Sequence, residues 1–192
     1  MIDERLLRAG TVVFDVGKVF LTFEPDRVAS LLPAEHRAAL KEAMFGPVHR
    51  WSEFDLGLKS NEQIADEIAA AARVSGGAAM VLEALYRCPE TMEPLPLYRC
   101  IDGLKCVGKK LYALTNYAEP SFSLTREAFP AMQALDGEVV PSREKLCKPD
   151  KELYRRLIKR YGIDPAESLF IDDREENVRA GAELGFRVWH YI

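Results

Sequence analysis

The stretch from Ser168 to Phe186 reads SLFIDDREENVRAGAELGF. Ser168 to Ile171 is a short apolar run that ends on two adjacent carboxylates, Asp172 and Asp173. Glu175 to Leu184 then carries a helical pattern, and Gly185 stands where a helix stops, at the C′ position. An apolar strand that runs directly into a helix is the repeating unit of a parallel sheet covered on both faces.

The same unit recurs along the chain. Thr11 to Phe14 (TVVF), Lys110 to Leu114 (KLYAL), Gly137 to Val140 (GEVV) and Phe186 to Trp189 (FRVW) are further strand candidates, with GEVV the weakest. Lys151 to Tyr161 places Leu153, Tyr154, Leu157, Ile158 and Tyr161 on one stripe at the helical period, with Asp150 as N-cap. Asp164-Pro165-Ala166-Glu167 reads as a capped turn ahead of the strand at Ser168. The expected architecture is α/β: a doubly wound, parallel, five-stranded, Rossmann-like sheet.

The segment from Glu24 to Cys88 is different, because it shows no clear strand. Ser60-Asn61-Glu62-Gln63 is a capping box that opens a helix running through Ala72. Arg27 to Phe45 and Ala78 to Tyr86 also read as helical. The division predicted is a core of residues 1–23 and 89–192, with a small helical cap, 24–88, inserted after the first strand.

Bulk properties agree with this division. A chain of 192 residues buries roughly 70% of the surface that its unfolded form exposes, enough for one core and a small lobe. Apolar residues make up 48% and charged residues 29%, the mix of a globular protein. A formal charge of −4 argues against a general nucleic-acid binder. The four cysteines, Cys88, Cys100, Cys106 and Cys147, form no C-x-x-C pair, so no zinc ribbon or thioredoxin site is indicated. The opening MIDERLLRAG lacks the apolar run of a secretory signal. The longest apolar stretch, Ile68 to Tyr86, is broken by Arg73, Ser75, Gly76, Gly77 and Glu83, so no membrane span is expected. The localisation expected is cytoplasmic, with reduced thiols.

In such sheets ligands bind outside the carboxyl ends of the strands. Those ends carry Asp15-Val16-Gly17-Lys18, Thr115-Asn116, the segment SREKLCKPD (142–150) and Asp172-Asp173. A parallel sheet brings them to one edge. The set suits phosphoryl transfer: a carboxylate can act as covalent nucleophile, and two or three carboxylates with a backbone carbonyl suit Mg²⁺. Lysine, threonine and asparagine can donate to phosphate oxygens. Burying so many carboxylates without a cation is costly, which is a reason to expect the metal.

These pieces, VVFDVGKVF, YALTN, SREKLCKPD and LFIDDREENVRAGAELGF, stand in order over nearly all of residues 11 to 190, and the chain resembles the haloacid dehalogenase (HAD) superfamily in its small-helical-cap, phosphatase-like branch. The resemblance implies that Asp15 is the nucleophile. It implies that Asp15, the Gly17 carbonyl, Asp172 and Asp173 form the Mg²⁺ site, and that Thr115 and Asn116 bind the phosphoryl group. Lys148 would neutralise charge, Asn177 would brace the acidic loop, and the helical insert would close over a small phosphorylated metabolite. Sugar phosphates are typical substrates of such relatives.

Two positions depart from the usual pattern. Where phosphatases of this kind carry a second aspartate as general acid, this chain has Gly17, which keeps the carbonyl and loses the proton donor. Lys18 follows, either as an extra cation for the phosphate or as a residue that meets solvent or a nearby acid. Two alternatives to the phosphatase stand beside it. One is a 2-haloacid dehalogenase, against which the Asp172-Asp173 pair argues. The other is a phosphate- and metal-binding regulatory module with little catalysis.

Several residues read both ways. His36, His49 and His190 are isolated and suit surface or core positions. His49, Arg50, Trp51 and Phe54 suit either a pocket for an anionic, ring-bearing ligand or the cap's own core. Lys145 reads as solvated. Cys147, beside Lys148, is either an oxidation-sensitive thiol or an inert one.

Overall fold

The structure is a computed structural model that describes residues 2–48, 51–119 and 121–192. Helix α1 (Glu4–Arg8), capped by the Asp3 side chain, leads into strand β1 (Thr11–Phe14). Five helices follow: α2 (Pro25–Ala29), α3 (Arg37–Phe45), α4 (Ser52–Asp55), α5 (Asn61–Ala72) and α6 (Gly77–Arg87). The chain then alternates through α7 (Ile101–Cys106), β2 (Lys110–Leu114), α8 (Ser121–Ala128), β3 (Gly137–Val139) and α9 (Pro141–Glu144). It ends with α10 (Lys151–Tyr161), β4 (Ser168–Asp172), α11 (Glu175–Glu183) and β5 (Arg187–His190).

All strand pairs are parallel, in the order β3-β2-β1-β4-β5. The chain leaves β1 towards β2 and β3, then crosses to the far side of β1 for β4 and β5. The order therefore switches between β1 and β4, where a crevice opens at the carboxyl ends. Alternation along β1 feeds two apolar layers. Val12 and Phe14 join Leu111, Ala113, Leu169 and Ile171 on one face. Val13 joins Tyr112, Leu114 and Phe170 on the other, under Leu153, Tyr154 and Leu157 of α10.

The doubly wound sheet expected from the strand pattern is present, with shifted ends. β3 stops at Val139, one residue early. β4 extends to Asp172, because Asp172 pairs with His190 of β5. β5 is an edge strand and half-exposed, so its apolar run marks a strand without marking full burial.

Between β1 and β2 every regular element is helical among the described residues. The capping box forms as read: the Ser60 hydroxyl accepts from the Gln63 N–H, and the Gln63 side chain accepts from the Ser60 N–H. Helix α5 packs against α6 and α3, and Leu40, Met44, Ile64, Ile68 and Val81 belong to the same apolar cluster as one face of the sheet. The continuous helix expected from Arg27 to Phe45 is broken after Ala29. Pro33 supplies no N–H and biases Leu32 away from helix. The Arg37 guanidinium donates to the carbonyls of Ala29, Ser30 and Leu32, occupying groups that the broken helix leaves over.

Candidate active site

Asp15 follows β1 directly. Its N–H donates to the Ile171 carbonyl at 2.9 Å, so the β1–β4 ladder runs one residue past the strand and fixes Asp15 beside Asp172. The chain then folds into a compact turn in which the N–H groups of Phe20 and Leu21 donate to the Val16 carbonyl. Lys18 takes a positive φ of 59° within this turn. Gly17 does not, and a Cβ placed on it would meet nothing within 4 Å.

Lys148 is buried, and its Nζ lies 2.9 Å from Asp15 Oδ1 and 2.6 Å from Asp172 Oδ2. Burial works against its ammonium, but the two carboxylates together outweigh that and hold its pKa above the ordinary lysine value. Asp172 is fully engaged: Oδ1 accepts from the Arg174 N–H and the Asn177 side chain, each at 2.9 Å. Asn177 is thus where the resemblance places it, bracing the acidic loop, and the Tyr154 hydroxyl donates to its carbonyl at 3.0 Å.

Carboxylate oxygens of Asp15, Asp172 and Asp173 all lie within 4.8 Å of one another. Burial pushes the Asp15 carboxyl above its ordinary range; Lys148 opposes the shift and Asp172 adds to it. Asp173 is raised as well, by burial and then by Asp172. Asp15 Oδ1 is buried with no aligned hydrogen bond, Lys148 being close but off line.

Thr115 is buried at the end of β2, with its N–H donating to the Val139 carbonyl. Asn116 departs from expectation. Its side-chain oxygen accepts from the Lys148 N–H at 2.8 Å, and its side-chain nitrogen donates to the Lys148 carbonyl at 2.9 Å. That amide clamps the lysine loop rather than standing open to a phosphate. Lys18 reaches towards Asp173, Nζ to Oδ2 4.0 Å, with most of its side chain exposed, so the pairing with a nearby acid is the arrangement present.

The lysine loop is anchored from two more sides. Glu144, buried at the end of α9, is gripped by Arg156 and Arg160 of α10. Lys145, expected to be solvated, donates from Nζ to the Gly57 carbonyl at 2.6 Å and ties the helical insert to the core. The Cys147 thiol is pushed up to about 11 by burial and then by Asp55, with Lys148 opposing, which leaves it the inert group of the two readings.

Trp51 and Phe54 belong to the packing of the insert. The Trp51 ring N–H donates to the Met44 carbonyl, and its ring meets those of Phe45 and Phe54. His49 and Arg50 lie outside the described residues. His190 was read as isolated, yet its Nε2 lies 2.9 Å from the Asp173 carbonyl. The signal was available in its place at the end of the fifth strand, on the same edge as the carboxylates. Asp55 was not singled out at all. It is half-buried on the insert, and burial pushes its carboxyl up to about 7.

A parallel sheet with an aspartate just past its central strand, an acidic pair at the end of the next and a buried lysine between them defines a doubly wound α/β protein whose charged groups gather at the switch point. The chain belongs to the haloacid dehalogenase-like hydrolases, whose family model matches residues 9–185. Among curated proteins it is similar to a sesquiterpene phosphatase of Aspergillus oryzae, 24% identical over 177 residues, 90% of this chain and 85% of that protein. It is also similar to a chloroplast flavin mononucleotide hydrolase of Arabidopsis thaliana, 26% identical over 142 residues, 70% of this chain and 54% of that protein. Among solved structures, a HAD family enzyme of Bacteroides thetaiotaomicron, crystallised as a mutant with magnesium and inorganic phosphate, superposes with a TM-score of 0.80 at 18% identity, covering 95% of this chain and 93% of that one. The L-2-haloacid dehalogenase of Xanthobacter autotrophicus gives a TM-score of 0.68, also at 18% identity, covering 94% and 76%. At these identities the likeness is one of fold.

Proposed function

We propose that this hydrolase is a Mg²⁺-dependent phosphatase acting on a small phosphomonoester through a phosphorylated Asp15. The observation that carries the reading is the convergence of Asp15, Asp172 and Asp173 within 4.8 Å. Buried Lys148 and the more distant, exposed Lys18 offset only part of three carboxylates, and a buried Asp15 oxygen is left without an aligned partner. An oxygen-rich, acidic set of this kind fits a hard divalent cation, with Asp15, Asp172, Asp173 and the Gly17 carbonyl as the groups that would hold it. Bound there, Mg²⁺ would screen the repulsion between Asp15 and an incoming phosphate and offset charge on the phosphoryl oxygens.

The chain's own residues do the rest. An Asp15 oxygen attacks phosphorus as the ester P–O bond breaks. Water then attacks the phosphoryl group and frees Asp15. Lys148 offsets negative charge on Asp15 and on the phosphoryl oxygens, in a buried setting where charge acts strongly. Thr115 donates its hydroxyl to the phosphoryl group, and Asn116 keeps Lys148 in place. Lys18, at the exposed rim, exchanges Asp173 for the substrate's phosphate. The segment from Glu24 to Cys88 acts as the cap that selects the substrate.

One curated relative is named a sesquiterpene phosphatase and another a flavin mononucleotide hydrolase, which supports a small phosphorylated metabolite as substrate. No helix of the described residues is long and apolar enough to cross a membrane. The acidic pair weighs against halide displacement, which needs no metal. The test is phosphate release from a panel of small phosphomonoesters, with and without Mg²⁺, beside Asp15→Asn. Metal-dependent release that disappears in Asp15→Asn is expected. Undiminished release by that variant overturns the reading.

A further inference from the structure

The helical insert is joined to the core at two places of different kind. At its root the two linking segments bond to each other. The Thr22 N–H donates to the Glu93 carbonyl and the Glu93 N–H to the Thr22 hydroxyl, each at 2.9 Å. The Leu95 N–H donates to the Phe20 carbonyl at 2.8 Å. Helix α6 also packs on α8, and one apolar cluster takes in residues of both the insert and the sheet. At the tip the joint is small. Helix α4 meets α9, and Lys145 Nζ donates to the Gly57 carbonyl at 2.6 Å. Apart from bonds to the linker residues Glu90, Thr91 and Glu93, this is the one hydrogen bond between insert and core among the described residues.

The core side of the tip joint is anchored on both flanks. Glu144, just before Lys145, is held by Arg156 and Arg160, and the Lys148 backbone is clamped by the Asn116 amide. Lys145 stands between these anchors at φ 58°, a left-handed conformation that costs any residue with a Cβ. The insert side fits closely. Gly57 is left-handed too, at φ +64°, and a Cβ on it would come within 2.7 Å of the Ser142 Cβ. The Ser142 hydroxyl accepts from the Glu119 N–H, which ties this dock to the loop that begins with Thr115 and Asn116. The tip thus rests where the phosphate-side loop and the lysine loop meet.

We propose that Lys145 is the latch that holds the tip of the insert against the lysine loop, and that it sets the length of ester the crevice admits. The inference rests on the phosphatase reading above, with the insert as cap. Because the loop is anchored on both sides of Lys145, breaking the latch frees the tip and leaves Lys148 in place. Lys145 is therefore a positioning residue that acts on the substrate through the insert. With the latch made, the closed tip is the resting state, and a short ester enters a formed site. A long ester needs the tip lifted against the bond. With the latch gone, the short ester must close the tip itself, and its apparent binding weakens by the fraction of molecules already closed. The long ester no longer works against the bond. Both effects turn selectivity towards the longer substrate.

Phenyl phosphate and 4-biphenylyl phosphate test this on the full chain with Mg²⁺, since their leaving groups are alike in acidity and differ in length. Lys145→Gly removes the ammonium and suits the left-handed backbone, so the fold is not put at risk. It should raise KM for phenyl phosphate at least about fivefold, with kcat within about twofold of wild type. The ratio of kcat/KM values should move towards the longer ester by at least about fivefold. Lys145→Arg keeps donors at the end of the side chain and should stay within about twofold of wild type; an arginine variant that behaves like the glycine one contradicts the donated bond. Unchanged selectivity in Lys145→Gly, or a fall in kcat on both esters with KM unchanged, overturns the latch. Hydrogen exchange gives a readout without turnover. Amides of residues 54–58 should exchange at least about threefold faster in Lys145→Gly, with those of α10 and β4 unchanged. Equal exchange at the tip overturns the latch whatever the activity. A wild-type protein that shows the exchange difference from Lys145→Gly, yet releases phosphate from neither ester, overturns the phosphatase reading and with it the selectivity role.

Discussion

Asn116 holds the backbone of Lys148 at both polar ends, accepting from its N–H at 2.8 Å and donating to its carbonyl at 2.9 Å. The two residues are 32 positions apart, and this clamp joins the end of β2 to the loop after α9. It sets where the lysine side chain begins, and so where its Nζ arrives between Asp15 and Asp172.

Asn116→Ala therefore removes a positioning device. Turnover is expected to fall by 10- to 100-fold on the order of what one misplaced charge-stabilising group costs. Stability should fall by about 1–3 kcal/mol, from two backbone groups left without partners. Phosphate release and a urea midpoint, measured together, check both.

Lys148→Met removes the buried ammonium and leaves Asp15 and Asp172 facing each other. Breaking a buried ion pair from one side costs about 3–5 kcal/mol. Activity is expected to be lost. Saturating Mg²⁺ should raise the melting temperature of this variant more than that of wild type, because the cation relieves the larger carboxylate repulsion. A smaller shift in the variant contradicts the role given to Lys148.

Asp55 makes stability depend on pH in a defined window. Its carboxyl is raised from 3.8 to about 7 by burial. The folded protein thus keeps a proton that the unfolded chain releases, so the stabilising contribution is full below 3.8 and is lost as pH rises through about 7. Asp55→Asn cannot titrate. The difference in melting temperature, variant minus wild type, should grow between pH 4.5 and pH 8, on the order of the one-proton linkage. A difference that stays flat with pH contradicts the raised carboxyl.

Gly57→Ala tests the docking of the insert. The backbone there is at φ +64°, and the new methyl would run into Ser142. A cost of about 1–3 kcal/mol is expected, together with faster proteolysis within the segment from Ser142 to Cys147. Unchanged cleavage at that segment contradicts a docked tip.

Much of the fold was legible in order along the chain. β1 and β2 have the predicted ends because their apolar runs are continuous, and β1, β2 and β4 are the strands buried on both faces. Helix α10 keeps its predicted ends because Asp150 caps one and Gly162, at φ +62°, stops the other. The break after Ala29 was missed because an apolar stripe says where a helix would bury, while Pro33 and the reach of Arg37 decide whether it continues. That Asp15 and Asp172 meet was legible, since a parallel sheet sends neighbouring strand ends to one edge, and Lys148 joins them from the loop after α9.

What local pattern determined by itself is the set of strands and helices and the identity of the groups at the sheet's carboxyl edge. Hydrophobic period, caps and turn residues act over a few neighbours, and a linear reading captures them. Only the tertiary structure decided how those groups are spent. The Asn116 amide turns onto Lys148, Lys145 bonds Gly57 across 88 positions, and His190 reaches Asp173. Each of these contacts joins segments distant in sequence. Their geometry comes from how strands, loops and insert pack together, an outcome that no local periodicity encodes.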